Sequence, residues 1–308
     1  MKTQITFSQA IDGYFLAAQA RHLSSHTLSD YSVTFNKFTL FLGKDLAITD
    51  ITHHKVEEFI RVQTVSNKTL LNYLIGLSAL WHWASDERLV PENIIKRVQK
   101  PKPDKPAISE FSLAEIKAML SSLEKSRPYG RPGKNPTSNS LQNVTRNRAI
   151  ILLLLDTGLR ASEICALRIS DLNIRNATLK TLGKGGKERI IPFSPRTGQA
   201  IWKYLASRKN DRLTDPLFIT LTGHQLDRDQ LRRLLGRIGT RAQVPNVHPH
   251  RFRHTFAINY LRNGGDSFTL QLLLGHSTME MVRTYLNLAQ ADLENGHRRA
   301  SPVDNWKL

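Results

Sequence analysis

The chain has only one cysteine, no long apolar run and too few acidic residues to balance its basic ones. The single cysteine, Cys165, excludes an internal disulfide and favours a reducing compartment. The longest apolar run, Ala149–Leu155, is far too short to span a membrane. The first residues, Met1–Phe15, contain no continuous apolar segment typical of a secretory signal. These absences predict a cytoplasmic protein.

The charge balance is strongly basic. The 308 residues include 44 Lys+Arg against 26 Asp+Glu, a net charge of +18 with a pI near 10.2. The excess is uneven, because residues 1–100 carry a net +2 and residues 101–308 a net +16. A positive charge of this size predicts a polyanionic partner, most often nucleic acid. The hydrophobic content of 40% is enough to build cores, and the length favours two domains.

A proline-rich segment marks the predicted domain boundary. Prolines at 101, 103 and 106 alternate with lysines, which favours a semi-rigid extended linker. We therefore predict an N-terminal domain over residues 1–100, a linker over 101–107 and a second domain over 108–308. A second stretch, Ser126–Thr145, is rich in Pro, Gly, Asn and Ser and predicts a basic surface loop. A tolerated insertion is favoured over a contact with a partner.

Apolar residues recur at intervals of three and four through the first hundred residues, which predicts a small bundle of four short helices. The expected helices are Ile5–Ala20, one carrying Leu28 to Leu42 and ending at Gly43, one after a Thr52 N-cap, and one carrying Leu70 to Trp81.

The second domain shows mixed patterns. The expected helices are one after the capping box Ser112–Glu115, a buried one over Arg148–Asp156 ending at Thr157–Gly158, then Gln230–Ile238, Phe252–Asn263, Thr269–Leu274 and a last one starting at Ser277. Between them, Ala177–Leu182 and Arg189–Phe193 flank a glycine-rich turn and predict a β-hairpin. The expected fold class is mainly α, with a small sheet in the second domain.

Six polar side chains form a candidate catalytic set: Arg160, Lys184, His250, Arg253, His276 and Tyr285. Taken singly, each has an ordinary structural interpretation, such as a surface ion pair, a solvated hairpin tip or a half-buried core tyrosine. Together, without a carboxylate pair, they fit a phosphodiester. Arginine forks match non-bridging phosphate oxygens, histidine and lysine transfer protons, and tyrosine can be a covalent nucleophile.

The order and spacing of these residues resemble the tyrosine recombinase (phage integrase) family, and particularly its short, two-domain, Xer-like members. The segments that carry the resemblance are TGLRASE, GKGGKER, HRFRHTF and LLGHS. The intervals are 24 residues from Arg160 to Lys184, 23 from Arg253 to His276 and 9 from His276 to Tyr285. The resemblance implies a SAM-like helical core-binding domain followed by a mixed α/β, mainly helical catalytic domain.

The resemblance also implies a reaction. Tyr285 would attack the scissile phosphate of double-stranded DNA, form a 3′-phosphotyrosine and free a 5′-hydroxyl. Arg160 and Arg253 would clamp the non-bridging oxygens, and Lys184 would protonate the leaving 5′-oxygen. His250 would be the proton-transfer partner near the nucleophile, and His276 would be a second hydrogen-bond donor to the phosphate. Glu163 would be a structural partner of the arginine box. The implied assembly is a tetramer on two DNA sites, and neither a cofactor nor a metal is expected.

Two other functions stay open at the level of sequence. A type IB topoisomerase-like enzyme would use similar chemistry to relax DNA, and a non-catalytic DNA-binding protein would keep only the scaffold. The Xer-like spacings disfavour the first, and the complete catalytic set disfavours the second. The sequence names neither the DNA target nor the choice among integration, excision and resolution.

Other motifs point away from metals and nucleotides. Four histidines, at positions 248, 250, 254 and 276, lack carboxylate partners, because His248–Gly265 contains neither Asp nor Glu. The loop around Lys187 is followed by Glu188 rather than by the Ser or Thr of a phosphate-binding loop. Cys165 is predicted to be a buried apolar residue. Four arginines on one helical pattern are read as either phosphate-positioning residues or a solvated face: Arg232, Arg233, Arg237 and Arg241.

Overall fold

A computed structural model describes residues 4–102, 109–124, 143–183, 188–208, 211–276, 278–289 and 301–306. The chain divides into two compact units, Met1–Ala107 and Ile108–Leu308. Most of the described residues are helical and a small sheet lies in the second unit, which confirms the predicted fold class. Within the described residues, no helix is long and apolar enough to cross a membrane.

The first unit is a helical bundle. Its helices are α1 (Phe7–Ala20), α2 (Ser25–Leu42), α3 (His53–Val62) and α4 (Asn67–Asp86), with short 3₁₀ turns at Ile48–Asp50 and Ile94–Arg97. The predicted apolar faces meet in an aromatic core, where the rings of Phe38 and Phe59 lie 5.1 Å apart edge to face. Gly43 ends α2 in the left-handed conformation, as predicted. Thr52 precedes α3, but its side chain makes no capping hydrogen bond.

The second unit is built around α6 and α10. Its helices are α5 (Leu113–Ser121), α6 (Val144–Thr157), α7 (Ala161–Ala166), α8 (Pro195–Ala206), α9 (Arg228–Ala242), α10 (Pro249–Arg262), α11 (Ser267–Leu274), α12 (Glu280–Ala289) and α13 (Pro302–Trp306). α6 is buried along most of its length, as its apolar run predicts, and it packs against α8 and α10. The predicted capping box at Ser112 begins α5, with both reciprocal hydrogen bonds formed.

The sheet has three antiparallel strands in the order β1–β2–β3: β1 (Leu172–Asn173), β2 (Thr178–Leu182) and β3 (Glu188–Pro192). The predicted hairpin is β2–β3, in which Leu179 pairs with Ile191 and both side chains face the core. The turn of this hairpin, residues 184–187, lies outside the described residues, as does most of the predicted loop at 126–145.

The helices α7, α8 and α13 and the strand β1 are absent from the sequence prediction. The last predicted helix corresponds to α12, which begins at Glu280 rather than directly after Ser277. Ser277 itself, the predicted N-cap, lies outside the described part of the chain.

Candidate active site

Three arginines from three different elements converge on one site. Arg160 is the N-cap residue of α7, Arg189 lies on β3 and Arg253 lies on α10. Arg253 is only 3% exposed. α6 and α11 both end at the site, each in a left-handed glycine, at Gly158 and Gly275. The local sequence therefore delivers two helix C-termini and three guanidinium groups to the same place.

Main-chain carbonyl oxygens orient two of the guanidinium groups. Arg253 donates from Nη1 to the Gly158 oxygen and from Nη2 to the Leu274 oxygen, each at 2.8 Å. Arg160 donates from Nη2 to the Gly275 oxygen at 3.1 Å. Carbonyls at a helix C-terminus carry partial negative charge, so they position a cation without neutralising it.

Glu163 is the carboxylate that Arg160 and Arg189 share. It accepts from Nη1 of Arg160 at 2.8 Å and from both terminal nitrogens of Arg189, at 3.0 and 2.8 Å. Burial by itself raises the pKa of Glu163, but hydrogen bonds from Arg189 and Arg160 outweigh burial and hold the pKa below its usual value. This matches the structural role expected for Glu163.

The site is electropositive as a result. Three guanidinium groups face one carboxylate, so about two positive charges remain for an anion. The pKa of Arg253 is lowered to about 10, first by burial and then by the charge of Arg160. Arg253 is still charged near neutral pH, and its repulsion from Arg160 would be reduced by a bound anion.

His276 lies against Arg253. Its Nε2 is 2.7 Å from Nη2 of Arg253. Since a guanidinium only donates, Nε2 accepts and the imidazole proton sits on Nδ1. Burial, followed by the charges of Arg253 and Arg160, lowers the pKa of His276 to about 4. Its Nδ1 is buried and has no hydrogen-bond partner among the described residues, so it is the donor left for a ligand.

Tyr285 lies on α12 and reaches the same site. Its side chain is 5% exposed, and its ring stacks on His276 with centroids 6.2 Å apart. Burial raises the pKa of the phenol, while the charge and a hydrogen bond of Arg253 oppose the rise. The phenol is therefore protonated in the free protein.

The Tyr285 hydroxyl is hydrogen-bonded to His254, whose Nδ1 lies 3.0 Å from it. His250 lies one turn earlier on α10, and the two imidazole centroids are 6.1 Å apart. Burial, then the charges of Arg253 and Arg160, lowers the pKa of His250. The phenol is thus hydrogen-bonded to His254, whereas the sequence predicts His250 as its proton-transfer partner.

The structure brings together Arg160, His250, Arg253, His276 and Tyr285 of the six predicted residues. Lys184 lies outside the described residues, in the segment between β2 and β3 where the sequence predicts a turn. Sequence reasoning missed two members of the site, Arg189 and His254. The available signal for His254 was its interval of four from His250, which places both on one helix face. The available signal for Arg189 was its place at the end of the segment GKGGKER.

The α9 arginines do not share one face. Arg233, Arg237 and Arg241 line an open cavity of about 880 Å³ together with Arg146. Arg232 instead lies near His248, whose pKa is lowered by burial, then by His250 and then by Arg232. The choice between phosphate contact and solvated face remains a prediction for each of them.

Cys165 agrees with the sequence expectation of a buried apolar residue. Cys165 is buried, and burial raises the pKa of its thiol to about 12. Across the ranges that the structure describes, no cluster of three His, Cys, Asp or Glu side chains could hold a metal ion.

Comparisons with known proteins match both units. Residues 135–292 match the model of the phage integrase family, and residues 11–88 match that of the phage integrase N-terminal SAM-like domain. Tyrosine recombinase XerC of Pelobacter propionicus is 28% identical over 289 residues, 92% of this chain and 91% of the relative. Tyrosine recombinase XerD of Pseudomonas aeruginosa is 28% identical over 292 residues, covering 91% and 92%.

Solved structures share the fold. A lambda integrase dimer bound to a COC′ core site has a TM-score of 0.73 at 17% identity, covering 91% of this chain and 77% of that one. The Tn1549 transposon integrase in complex with a circular intermediate DNA has a TM-score of 0.70 at 20% identity, covering 93% and 99%.

Proposed function

The chain belongs to the phage integrase family, and we propose on this premise that it is a site-specific DNA recombinase that cuts and rejoins strands through a 3′-phosphotyrosine. The observation that carries the proposal is the meeting of a buried tyrosine with three guanidinium groups, those of Arg160, Arg189 and Arg253, that have one carboxylate, Glu163, among them. A phosphodiester supplies both the missing negative charge and the electrophile for a tyrosine. No comparison favours a topoisomerase or a non-catalytic protein.

The described geometry supports roles for Arg160, Arg253, His276 and Tyr285, and the family resemblance alone supports the role of Lys184. Arg160 and Arg253 would clamp the non-bridging oxygens and stabilise the charge that grows on them as the phosphorane forms. His276 would donate from Nδ1. Tyr285 would attack in line with the departing 5′-oxygen, which Lys184 would protonate. No step draws on ATP or a metal, because the phosphotyrosine conserves the energy of the bond that was broken.

The reaction is tested by trapping the covalent intermediate. A duplex bound tightly by the protein is first selected from a randomised library and then nicked near the cleaved position, so that the short product diffuses away. We expect a denaturation-resistant protein–DNA adduct with the wild type and none with Tyr285→Phe. The matched control is Tyr260→Phe, which removes a hydroxyl from α10 in the same apolar cluster. An adduct of normal yield from Tyr285→Phe would remove Tyr285 from the mechanism.

The outcome of rejoining is tested on plasmids that carry two copies of the selected site. Deletion or inversion products are expected from a recombinase. Relaxed plasmid alone would indicate a topoisomerase-like enzyme, and a retarded band without any covalent product would indicate a binding protein.

We also propose that four chains assemble on two DNA sites, with the segment after Tyr285 docking on a neighbouring protomer. The support is the apolar surface of α13, where Val303 and Trp306 are 57% and 71% exposed. Val303→Ser with Trp306→Ser should spare binding to one site and impair the joining of two sites, measured by native gel. Unchanged synapsis would make this helix a dispensable end.

A further inference from the structure

We infer that His254 holds the phenol of Tyr285 by a hydrogen bond and takes its proton when the hydroxyl attacks phosphate. The proton acceptor is then already in contact with the nucleophile before the reaction begins. The inference deepens the proposed function and rests on it. His250, the residue expected for this task from the sequence, is then left for other contacts with the phosphate.

The first support is geometric. His254 Nδ1 lies 3.0 Å from the Tyr285 hydroxyl, within the normal range of a hydrogen bond. The two ring centroids are 5.6 Å apart at an interplanar angle of 51°, so the imidazole meets the hydroxyl rather than stacking on the phenol. α10 and α12 pack against each other and bury Tyr285, which fixes the pair in a low-dielectric setting.

The second support is the protonation state of the pair. Burial, then His250, His248 and Arg253, lowers the pKa of His254 to about 4. Among the described residues, these three groups shift the pKa of the imidazole, and Tyr285 faces it from α12. The imidazole is therefore neutral near pH 7, and the phenol is protonated. A protonated phenol donates to the lone pair on Nδ1, which leaves the imidazole proton on Nε2.

The step that follows is balanced. The Tyr285 oxygen forms its bond to phosphorus while its proton moves to Nδ1 of His254, giving an imidazolium. The bond from phosphorus to the 5′-oxygen breaks, and that oxygen receives a proton from the proposed acid, Lys184. In the second half-reaction a 5′-hydroxyl attacks the phosphotyrosine and gives its proton to the Lys184 amine left neutral by the first step, while the imidazolium returns its proton to the departing phenolate.

A proton acceptor must be distinguished from a residue that only places the tyrosine. His254→Asn keeps a side-chain oxygen that can accept from the phenol, but amide oxygen is too weak a base to take the proton. Placement alone predicts that Asn restores the rate. Proton acceptance predicts that His254→Asn and His254→Ala are both slowed by about 10²–10⁴, the usual scale of general-base loss.

The experiment is single-turnover adduct formation on the selected, nicked duplex across a range of pH. Wild type should be nearly flat around neutrality, while the rate of His254→Asn should rise about tenfold per pH unit, because hydroxide must then remove the proton. DNA affinity should be unchanged. His224→Ala, which removes an exposed imidazole outside the site, is the control. A rate for His254→Asn within about threefold of wild type, with a flat profile, would overturn the inference.

A second measurement does not depend on cleavage. With 3-fluorotyrosine incorporated, and residue 285 assigned by its loss in Tyr285→Phe, its ¹⁹F resonance should shift on His254→Asn and not on His224→Ala. No shift would overturn the contact itself. An absent wild-type adduct would contradict the proposed function, whereas equal adduct rates in wild type and His254→Asn would overturn only the inference.

Discussion

Arg253 and Arg160 illustrate how a site can hold cations ready for an anion. A carboxylate partner for each would fix the guanidinium but also neutralise it. Here carbonyl oxygens of Gly158, Leu274 and Gly275 help to orient the two groups, and the single carboxylate, Glu163, is shared between Arg160 and Arg189. A net positive charge therefore remains, and in the proposed reaction it would stabilise the negative charge that grows on the phosphate.

The acid that protonates the 5′-oxygen can be identified with a modified substrate. An alcohol is a very weak acid, so its oxygen leaves only with a proton, whereas a thiol has a pKa near about 8.5 and leaves as a thiolate. Lys184→Ala should be slowed by about 10²–10⁴ on normal DNA. It should recover near-normal cleavage when sulfur replaces the 5′-bridging oxygen, measured under single-turnover conditions.

Two variants control this experiment. Arg160→Ala should stay slow on the sulfur substrate, because its charge acts on the non-bridging oxygens. Lys187→Ala tests the neighbouring lysine, which competes for the role only three residues away. If Lys187→Ala is rescued and Lys184→Ala is not, the acid is Lys187; rescue of neither removes both lysines from the role.

His276 makes the stability of the protein depend on pH. Its pKa is about 4 in the folded state against 6.5 for a free imidazole. Between these values the unfolded chain binds more protons, so stability is complete above pH 6.5 and falls as the pH drops towards 4. The loss reaches up to about 3 kcal/mol for this group. Urea denaturation should show a flatter pH dependence for His276→Gln than for wild type or His224→Gln; equal slopes would contradict the burial argument.

At this scale, the sequence predicts the residue types of the site but not all of its contacts. The spacing of Arg160, Arg253 and Tyr285 along the chain is visible in the sequence itself, so these residues could be predicted. The choice between His250 and His254 is different, because both lie on one face of α10 and only the packing of α12 decides which imidazole meets the phenol. Arg189 lies on the predicted hairpin, but its hydrogen bonds to Glu163 and to the Leu273 oxygen join segments that are distant along the chain.

The ends of helices are the elements on which the site depends. α6 ends at Gly158, which has a φ of +61°. A Cβ atom there would lie 2.5 Å from Phe256 and 2.9 Å from Leu274, and the Gly158 oxygen accepts from Arg253. The same residue therefore sets a turn, a close packing contact and the position of a proposed catalytic arginine.

Gly158→Ala should consequently lower both stability and cleavage. Left-handed strain and steric overlap together should reduce the free energy of unfolding by about 2–4 kcal/mol. Gly43→Ala is the matched control, since Gly43 ends α2 at a φ of +69° with no atom within 4 Å of the added carbon. It should lose about 1–2 kcal/mol from strain alone and keep the adduct rate. Similar losses from both variants, measured by denaturation, would contradict a steric role.

The elements missed by sequence reasoning lack strong local signals. α8 carries Gly198, a poor helix former, at a position where an added Cβ would lie in tight contact with Phe193, at 3.1 Å. β1 is two residues long and exists only through pairing with β2. By contrast α2, α4 and α6 have long apolar faces and clear stops, so their existence could be predicted and only their ends shifted.

On the scale of the whole molecule, the two units have separate hydrophobic cores and very different charges. The core of the first unit is largely aromatic, and that of the second is centred on α6. Residues 1–100 carry a net +2 and residues 101–308 a net +16. Composition alone reveals this asymmetry, but it does not reveal which basic groups meet phosphates, since the α9 arginines lie on different faces.

The charge asymmetry predicts that the second unit provides most of the electrostatic grip on DNA. Each phosphate contact releases counterions and contributes a slope of about −0.9 to log K against log salt. With about 6–10 contacts, affinity should fall by about 10³–10⁵ between about 50 and about 200 mM salt. Residues 109–308 alone should keep most of the salt dependence of DNA binding shown by the full chain, whereas residues 1–102 should bind DNA far more weakly.

Fluorescence anisotropy over a salt series measures the DNA affinity of each piece, and circular dichroism confirms that each piece is folded. If the first unit kept most of the affinity at low salt, the prediction would be wrong, and DNA binding would depend on a few specific contacts in that unit rather than on net charge.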